Sequence, residues 1–218
     1  MKRFLTAWLL LIAAASWLLA STLISETWTC ADSDSLNCDY ANWTECCTGD
    51  DWDIVSNTAR NAFDNGTISW ARTATIGTAD YTTQADVNPG TSGNFGVCAR
   101  RVANGASDSD WYTAFVHDGN DQFTVYKRAA ASWTLLGFYN TAIAYGTFYT
   151  VKVYARGTTI KGFLNGTERV SATDSALSAA GDACIARSSF GQTTVWDNFL
   201  VEDFSAGGAA ARRRVVTP

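Results

Sequence analysis

Short runs rich in Thr, Val, Ile, Tyr, Phe and Trp, broken by Gly, Asn and Asp at intervals of about ten residues, pattern most of this chain. The alternation is clean in Val151-Lys-Val-Tyr-Ala-Arg, where Val151, Val153 and Ala155 share one face and Lys152, Tyr154 and Arg156 the other. The pattern predicts strands over 26–29, 52–55, 67–75, 81–87, 95–101, 111–117 and 122–128. It predicts further strands over 132–139, 148–156, 159–164, 167–171, 183–188 and 194–202. Asn165-Gly166 separates two of these runs and tolerates positive φ at both positions, as a two-residue hairpin requires. Residues 117–121 read as a slightly longer hairpin loop. Strands that bury one face need a second sheet to bury it against, so the expected fold is an antiparallel two-sheet β-sandwich.

The pattern changes at the N-terminus. Residues 4–25 carry no charge and follow Lys2 and Arg3, the layout of a secretory signal. Ala13-Ala14-Ala15 and Ala20-Ser21-Thr22 offer small residues for cleavage, while Trp17, Leu18 and Leu19 extend the apolar run far enough for a signal anchor helix. Both readings export the body of the protein, and only the anchor would attach it to a membrane. The expected organisation is a signal or anchor over 1–25, one β-sandwich domain over 26–205, and a Gly/Ala tail with Arg212, Arg213 and Arg214 over 206–218.

Charge sharpens the partner class. The 218 residues hold 16 Lys+Arg and 21 Asp+Glu, a formal net of −5. With the five terminal basic residues set aside, the body stands at −10. A surface that acidic repels phosphate backbones, which excludes nucleic acid as the expected partner. The six Cys agree with export, because disulfides persist outside the cytosol. Zinc is not expected, since His117 is the only His. Cys30, Cys38, Cys46 and Cys47 lie in a stretch where eight acids between Glu26 and Asp53 face no base, which reads as a disulfide-held surface loop. Cys98 and Cys184 lie in strand-like segments, either bridged to each other or as two buried thiols.

Two stretches resemble a known superfamily. Ala79-Asp-Tyr-Thr-Thr-Gln-Ala-Asp-Val, Phe95-Gly-Val-Cys-Ala-Arg and Trp111-Tyr-Thr-Ala-Phe-Val are similar to the middle strands of concanavalin A-like lectin/glucanase domains, which include laminin G-like modules. Tyr149-Thr-Val-Lys-Val-Tyr-Ala-Arg-Gly-Thr-Thr-Ile-Lys-Gly-Phe-Leu-Asn-Gly-Thr and Val195-Trp-Asp-Asn-Phe-Leu-Val are similar to the last strands. The resemblance implies a jelly-roll sandwich with one curved sheet, often used to bind glycans. It also implies a structural calcium between the first and last strands, which here nominates Glu26 and Asp197 as ligands.

Candidate chemistry follows from the same strands. Hydrolases of glycosidic bonds place two carboxyl groups about 5–10 Å apart. The glucanases of this superfamily take them from one Glu-x-Asp-x-Glu strand, and no pair among Glu26, Glu45, Glu168 and Glu202 is so spaced. Asp51/Asp53 and Asp108/Asp110 sit among turn residues and read as solvated loop carboxylates. Glycan binding instead asks for aromatic faces with planar hydrogen-bonding groups around them. Period-two reading puts Trp111, Thr113, Phe115 and His117 on one face, and Gln122, Thr124, Tyr126 and Arg128 on the same face of the next strand. Trp111, His117, Tyr126 and Arg128, together with Arg100 and Trp133, are therefore the expected glycan-binding surface. A non-catalytic lectin-like domain is the expected function. A subunit of an extracellular or virion surface assembly and a glycoside hydrolase with an unrecognised carboxylate pair are the alternatives. Asn42, Asn65 and Asn165 each open a glycosylation triplet.

Overall fold

The computed structural model describes residues 21–33, 35–37, 43–45, 52–61, 68–90, 92–103, 109–188 and 193–204. The first sheet contains β1 (Ser21–Glu26), β3 (Trp52–Val55), β4 (Thr58–Asn61), β6 (Tyr81–Asn88), β11 (Tyr149–Arg156), β12 (Thr159–Leu164), β13 (Thr167–Thr173) and β15 (Val195–Asp203). The second contains β2 (Thr44–Glu45), β5 (Ile68–Thr75), β7 (Asn94–Ala103), β8 (Ser109–His117), β9 (Gln122–Ala129), β10 (Ser132–Asn140) and β14 (Asp182–Ser188). Strand order is β13-β12-β11-β6-β15-β4-β3 in the first, with β1 also on β15, and β10-β9-β8-β7-β14-β5-β2 in the second. All pairings are antiparallel.

Alternation in the sequence becomes layering in the fold. Val151, Val153 and Ala155 turn inward from the first sheet, and Phe95, Val97, Tyr112, Ala114, Val116 and Phe123 turn inward from the second. Trp28, Trp43, Trp52 and Trp196 also belong to this core, with Trp52 and Trp196 ring centroids 5.1 Å apart. Trp196 ties the layers together, donating its indole N–H to the Gly96 carbonyl of the opposite sheet at 3.0 Å.

The expected hairpin at Asn165-Gly166 is present, with φ of 50° and 76°. Two others carry no glycine at the turn. Ser56-Asn57 links β3 to β4 with φ of 52° and 62°, and Ala130-Ala131 links β9 to β10 with φ of 47° and 62°. Alanine in this conformation brings Cβ against the carbonyl oxygen. Ala131→Gly is therefore expected to stabilise the domain by about 1 kcal/mol, read as a rise in the urea midpoint with unchanged slope.

The leader and the domain meet earlier than expected. Ser21 to Ser25 pair with β15 as part of β1, and Ser21 donates its hydroxyl to Asp203 Oδ1 at 2.7 Å. The apolar run thus continues into an edge strand whose Ile24 enters the core. Cleavage after Ala15 would leave β1 whole, whereas cleavage after Thr22 would remove two of its residues. Residues 1–20, the basic tail, and Asn42 and Asn65 lie outside the described residues.

At the end of β13 a carboxylate ties the sheets together. Asp174 accepts hydrogen bonds from Lys127 Nζ and Tyr112 Oη, both at 2.6 Å, and from the Ala176 amide at 2.9 Å. Burial alone would raise this carboxyl, but the bonds from Lys127, Tyr112 and Ala176 outweigh it and hold the group below its ordinary value. A depressed carboxyl stabilises the folded state above its unfolded value, about 3.9, and the gain is lost as pH falls through the folded value. Asp174→Asn is expected to lower stability at pH 7 by about 2 kcal/mol. It should also flatten the fall in urea midpoint between pH 4 and pH 2.

Candidate functional site

The outer face of the second sheet carries a second cluster of buried side chains, separate from the core. Trp70, Cys98, Trp111, Phe115, Cys184 and Ala186 form it, with Ile68, Tyr126 and Trp133 packed on top. Strand register explains the assembly. Arg128 lies beside both Trp133 and Trp111, Tyr126 beside Thr113 and Leu135, Thr124 beside Phe115 and Phe138, and Gln122 beside His117 and Asn140. Continuing across, Cys98 stands opposite Cys184, Gly96 opposite Ala186, and Asn94 opposite Ser188.

Trp133 is the centre of the exposed part. Its ring centroid lies 5.7 Å from Tyr126, edge to face, and 6.2 Å from both Trp111 and Phe115. Asn94, Phe115, Tyr126, Trp133 and Ser188 enclose a cavity of about 240 Å³. This is below the roughly 300–1,000 Å³ of clefts for drug-sized ligands, and it suits one ring rather than an extended chain. Asn94 donates from Nδ2 to the Ser188 carbonyl at 3.3 Å, while its Oδ1 is buried without a protein partner. Such an oxygen is an acceptor waiting for a donor.

A basic edge flanks the aromatics. The Arg128 guanidinium lies 5.7 Å from the rings of both Trp111 and Trp133 and donates to the Ser109 carbonyl at 2.8 Å. Burial lowers its pKa. Arg101 stacks 3.5 Å from the Trp70 centroid and pairs with Asp182 at 2.9 Å, while Arg72 reaches the same carboxylate at 3.2 Å. Burial pulls the Arg101 guanidinium down to about 10, against the opposing pull of Asp182. It stays charged at neutral pH.

The nominated residues separate into groups. Tyr126 and Trp133 are half-buried and line the cavity. Trp111 is on the expected face but fully buried beneath Trp70, Trp133 and Arg128, so it forms the floor and presents no ring to a ligand. Arg128, 9% exposed, is wedged between rings. His117 sits six residues along β8 from Trp111, about 20 Å away, and accepts the Asn120 amide at Nδ1.

Arg100 departs from the expected face. A bulge in β7 sets Arg100 and Arg101 against the single position between Asp110 and Tyr112, and Arg100 takes φ of 53°. It turns inward and donates to the carbonyls of Ala79, Gly157 and Leu177 at 2.6, 2.9 and 2.8 Å, with Asp80 at 3.2 Å. Its backbone N–H donates to the Tyr81 hydroxyl, which donates in turn to the Asp182 carbonyl at 2.9 Å. Arg100 is thus a structural clamp, and Arg101 takes its place on the outer face. Arg100→Ala is expected to cost about 3–4 kcal/mol by leaving buried carbonyls unpaired. Arg100→Lys should not rescue it, since one ammonium cannot span the same acceptors. Thermal unfolding of both variants checks this.

The calcium ligands implied by resemblance do not meet. Glu26 turns inward, fully buried, and accepts the Thr27 and Trp28 amides at Oε1, at 3.1 and 2.9 Å. Asp197 lies on the outer side of the first sheet opposite Asp86, and accepts the Asn198 amide at 2.7 Å. Burial raises the Asp197 carboxyl, and the Asp86 charge adds to that. The two carboxylates therefore face different sides of the sheet and do not fit one ion. No group of three or more potential metal ligands converges among the described residues. The described part of the aromatic face holds one carboxylate, Asp182, locked between two arginines. Asp53 pairs with Arg60 at 2.9 Å and Asp110 caps the Ala130 amide at 2.8 Å. Asp51 and Asp108 lie outside the described residues.

Trp70, Arg72, Arg101, Asn94 and Ser188 complete the face without having been nominated. The alternation Ile68, Trp70, Arg72 is present in the sequence, but only the pairing of β5 with β14 puts that stripe beside Cys184.

The chain matches no family model and no curated protein sequence. Solved structures do resemble it. The carbohydrate binding module CBM66 from Bacillus subtilis superimposes with a TM-score of 0.64 at 21% identity, over 76% of this chain and 98% of that one. Bacillus licheniformis β-glucanase gives 0.58 at 10% identity, over 83% and 97%. Domain 4 of AbnA, an extracellular arabinanase from Geobacillus stearothermophilus solved with arabinotriose, gives 0.57 at 12%, over 86% and 95%. At these identities the likeness is one of fold.

Proposed function

We propose, from the concanavalin A-like jelly-roll fold that this chain shares with those structures, that it is an exported, non-catalytic carbohydrate-binding domain. The observation that carries the reading is the half-buried Trp133–Tyr126 pair over a cavity of about 240 Å³, with the unpartnered Asn94 oxygen at its wall. Sugar rings present apolar C–H faces and equatorial hydroxyls, and an aromatic platform with a planar amide beside it complements both. Trp133 and Tyr126 supply the platform, and Asn94 and Ser188 the polar contacts. Arg128 holds Trp133 in place by stacking. Trp111 supports the platform from below. Two of the similar folds support the ligand class, one a carbohydrate binding module by name and the other an arabinanase domain solved with arabinotriose. On the aromatic face the described carboxylates support no hydrolytic pair, because Asp182 stands alone there between two arginines. Disulfides support export.

A second reading, a subunit of a surface assembly, is favoured by one observation. The edge strand β10 has no charged residue and exposes Leu135 at 47% and Phe138 at 51%. A glycan array separates the two, backed by retention on immobilised arabinan and mixed-linkage β-glucan. Carbohydrate binding by a monomer, unchanged by EDTA and without release of reducing sugar, is the expected result. Self-association with no retention on any glycan would establish the second reading instead.

A further inference from the structure

The sandwich has another cavity, on the outer face of the first sheet and therefore on the opposite side from Trp133. Strand register builds its floor. Thr82 on β6 lies between Tyr154 on β11 and Glu202 on β15, and Gln84 lies between Lys152 and Leu200. Phe204, just past β15, packs its ring 4.7 Å from that of Tyr154, tilted by 49°. Thr82, Gln84, Lys152, Tyr154, Glu202 and Phe204, with Phe163 on β12, line a cavity of about 240 Å³, the same volume as the first.

Its polar groups are underused. Thr82 is 4% exposed, yet its Oγ1 has no hydrogen-bond partner. A buried hydroxyl in that state is costly unless something enters the cavity to pair with it. Gln84 makes no side-chain hydrogen bond among the described residues. Lys152 Nζ and Glu202 Oε2 stand 4.0 Å apart, at the limit of an ion pair, with 27% and 28% of their side chains exposed. Lys152 is matched by Glu202, and Lys161, 5.9 Å from the Tyr154 ring, by Glu168 at 2.8 Å, while Arg156, 5.7 Å from the Phe204 ring, adds one cation beside the aromatic wall. A phosphate or sulfate would meet Glu202, and a cation would meet Lys152. A neutral ring bearing adjacent hydroxyls satisfies all of them, with one face on Phe204 and Tyr154.

We infer that this cavity is a second saccharide site, which makes a single chain bivalent. The inference takes its ligand class from the proposed function, but its residues are independent of the first site. Two sites facing opposite ways cannot engage adjacent rings of one short oligosaccharide. They bridge separate polysaccharide strands, so avidity appears as cross-linking.

Isothermal titration of the full chain with a mixed-linkage β-glucan hexasaccharide and with arabinohexaose tests this, using wild type, Trp133→Ala, Phe204→Ala and Gln84→Ala. Gln84→Ala replaces a half-buried side chain and guards against a folding defect in Phe204→Ala. The expected result is two saccharides per wild-type chain and one in each variant. Wild type should also turn a solution of the parent polysaccharide turbid, and the variants should not. One saccharide per wild-type chain, abolished by Trp133→Ala and untouched by the other two changes, would overturn the second site and leave the first standing. Two per chain, both indifferent to Phe204→Ala and Gln84→Ala, would overturn it as well. No uptake of either probe would overturn both sites.

Discussion

Replacing Trp133 by alanine is expected to weaken saccharide binding at its own cavity roughly 30- to 150-fold, the equivalent of about 2–3 kcal/mol. Trp133 makes ring contacts with Trp111, Phe115 and Tyr126 and forms one wall of the cavity, so its removal takes away the platform and loosens its neighbours together. The fold should survive, because Trp133 lies on edge strand β10 and outside the core between the sheets. Trp133→Phe keeps an aromatic face and should recover much of the affinity. Tyr126→Ala should fall between the two. Isothermal titration against the best glycan from the array, with circular dichroism to confirm the fold, reads each value.

Removing the Cys98–Cys184 bridge is expected to produce the largest loss of stability, about 4–5 kcal/mol. The two residues are direct partners on β7 and β14, with Cα atoms 5.0 Å apart and a sequence separation of 86. A loop that long constrains the unfolded chain strongly in the entropic account. The double variant Cys98→Ala/Cys184→Ala keeps the small apolar volume on the outer face and isolates the cross-link from the packing. A drop in unfolding free energy of this size, abolished when wild type and variant are compared under reducing conditions, is the expected result. A loss below about 1 kcal/mol would mean that neighbouring strand pairs already hold β7 and β14 together.

Much of the sandwich was legible because its rules are local. The strands at 52–55 and 159–164 were expected with the bounds that Trp52–Val55 and Thr159–Leu164 show, and Asn165-Gly166 announced its own turn. β4 was not legible, because the Ser56-Asn57 turn that starts it lacks the glycine that usually marks such hairpins. β2 is two residues long and exists only by pairing with β5. The bridge was legible as one of two states of Cys98 and Cys184, and the pairing of β7 with β14 decides between them.

The site divides along the same line. Period two placed Trp111, Phe115 and Tyr126 on one face correctly, since β8 and β9 run without a bulge between them. It failed at Arg100, where one extra residue in β7 reverses the side on which each later side chain emerges. Depth within a face was also invisible. Trp111 and Trp133 look equivalent by alternation, but Trp111 is on central strand β8 and Trp133 on edge strand β10. Only the edge residue keeps a ring for a ligand.

The most direct test follows the tryptophan indole N–H signals in a ¹⁵N-labelled sample during titration with the saccharide that the array selects. The Trp133 signal is expected to move with saturation, with smaller shifts at Trp111 and Trp70 behind it, while Trp28, Trp52 and Trp196 in the core stay fixed. Saturable binding that leaves Trp133 unmoved would contradict the assignment of this face as the saccharide site.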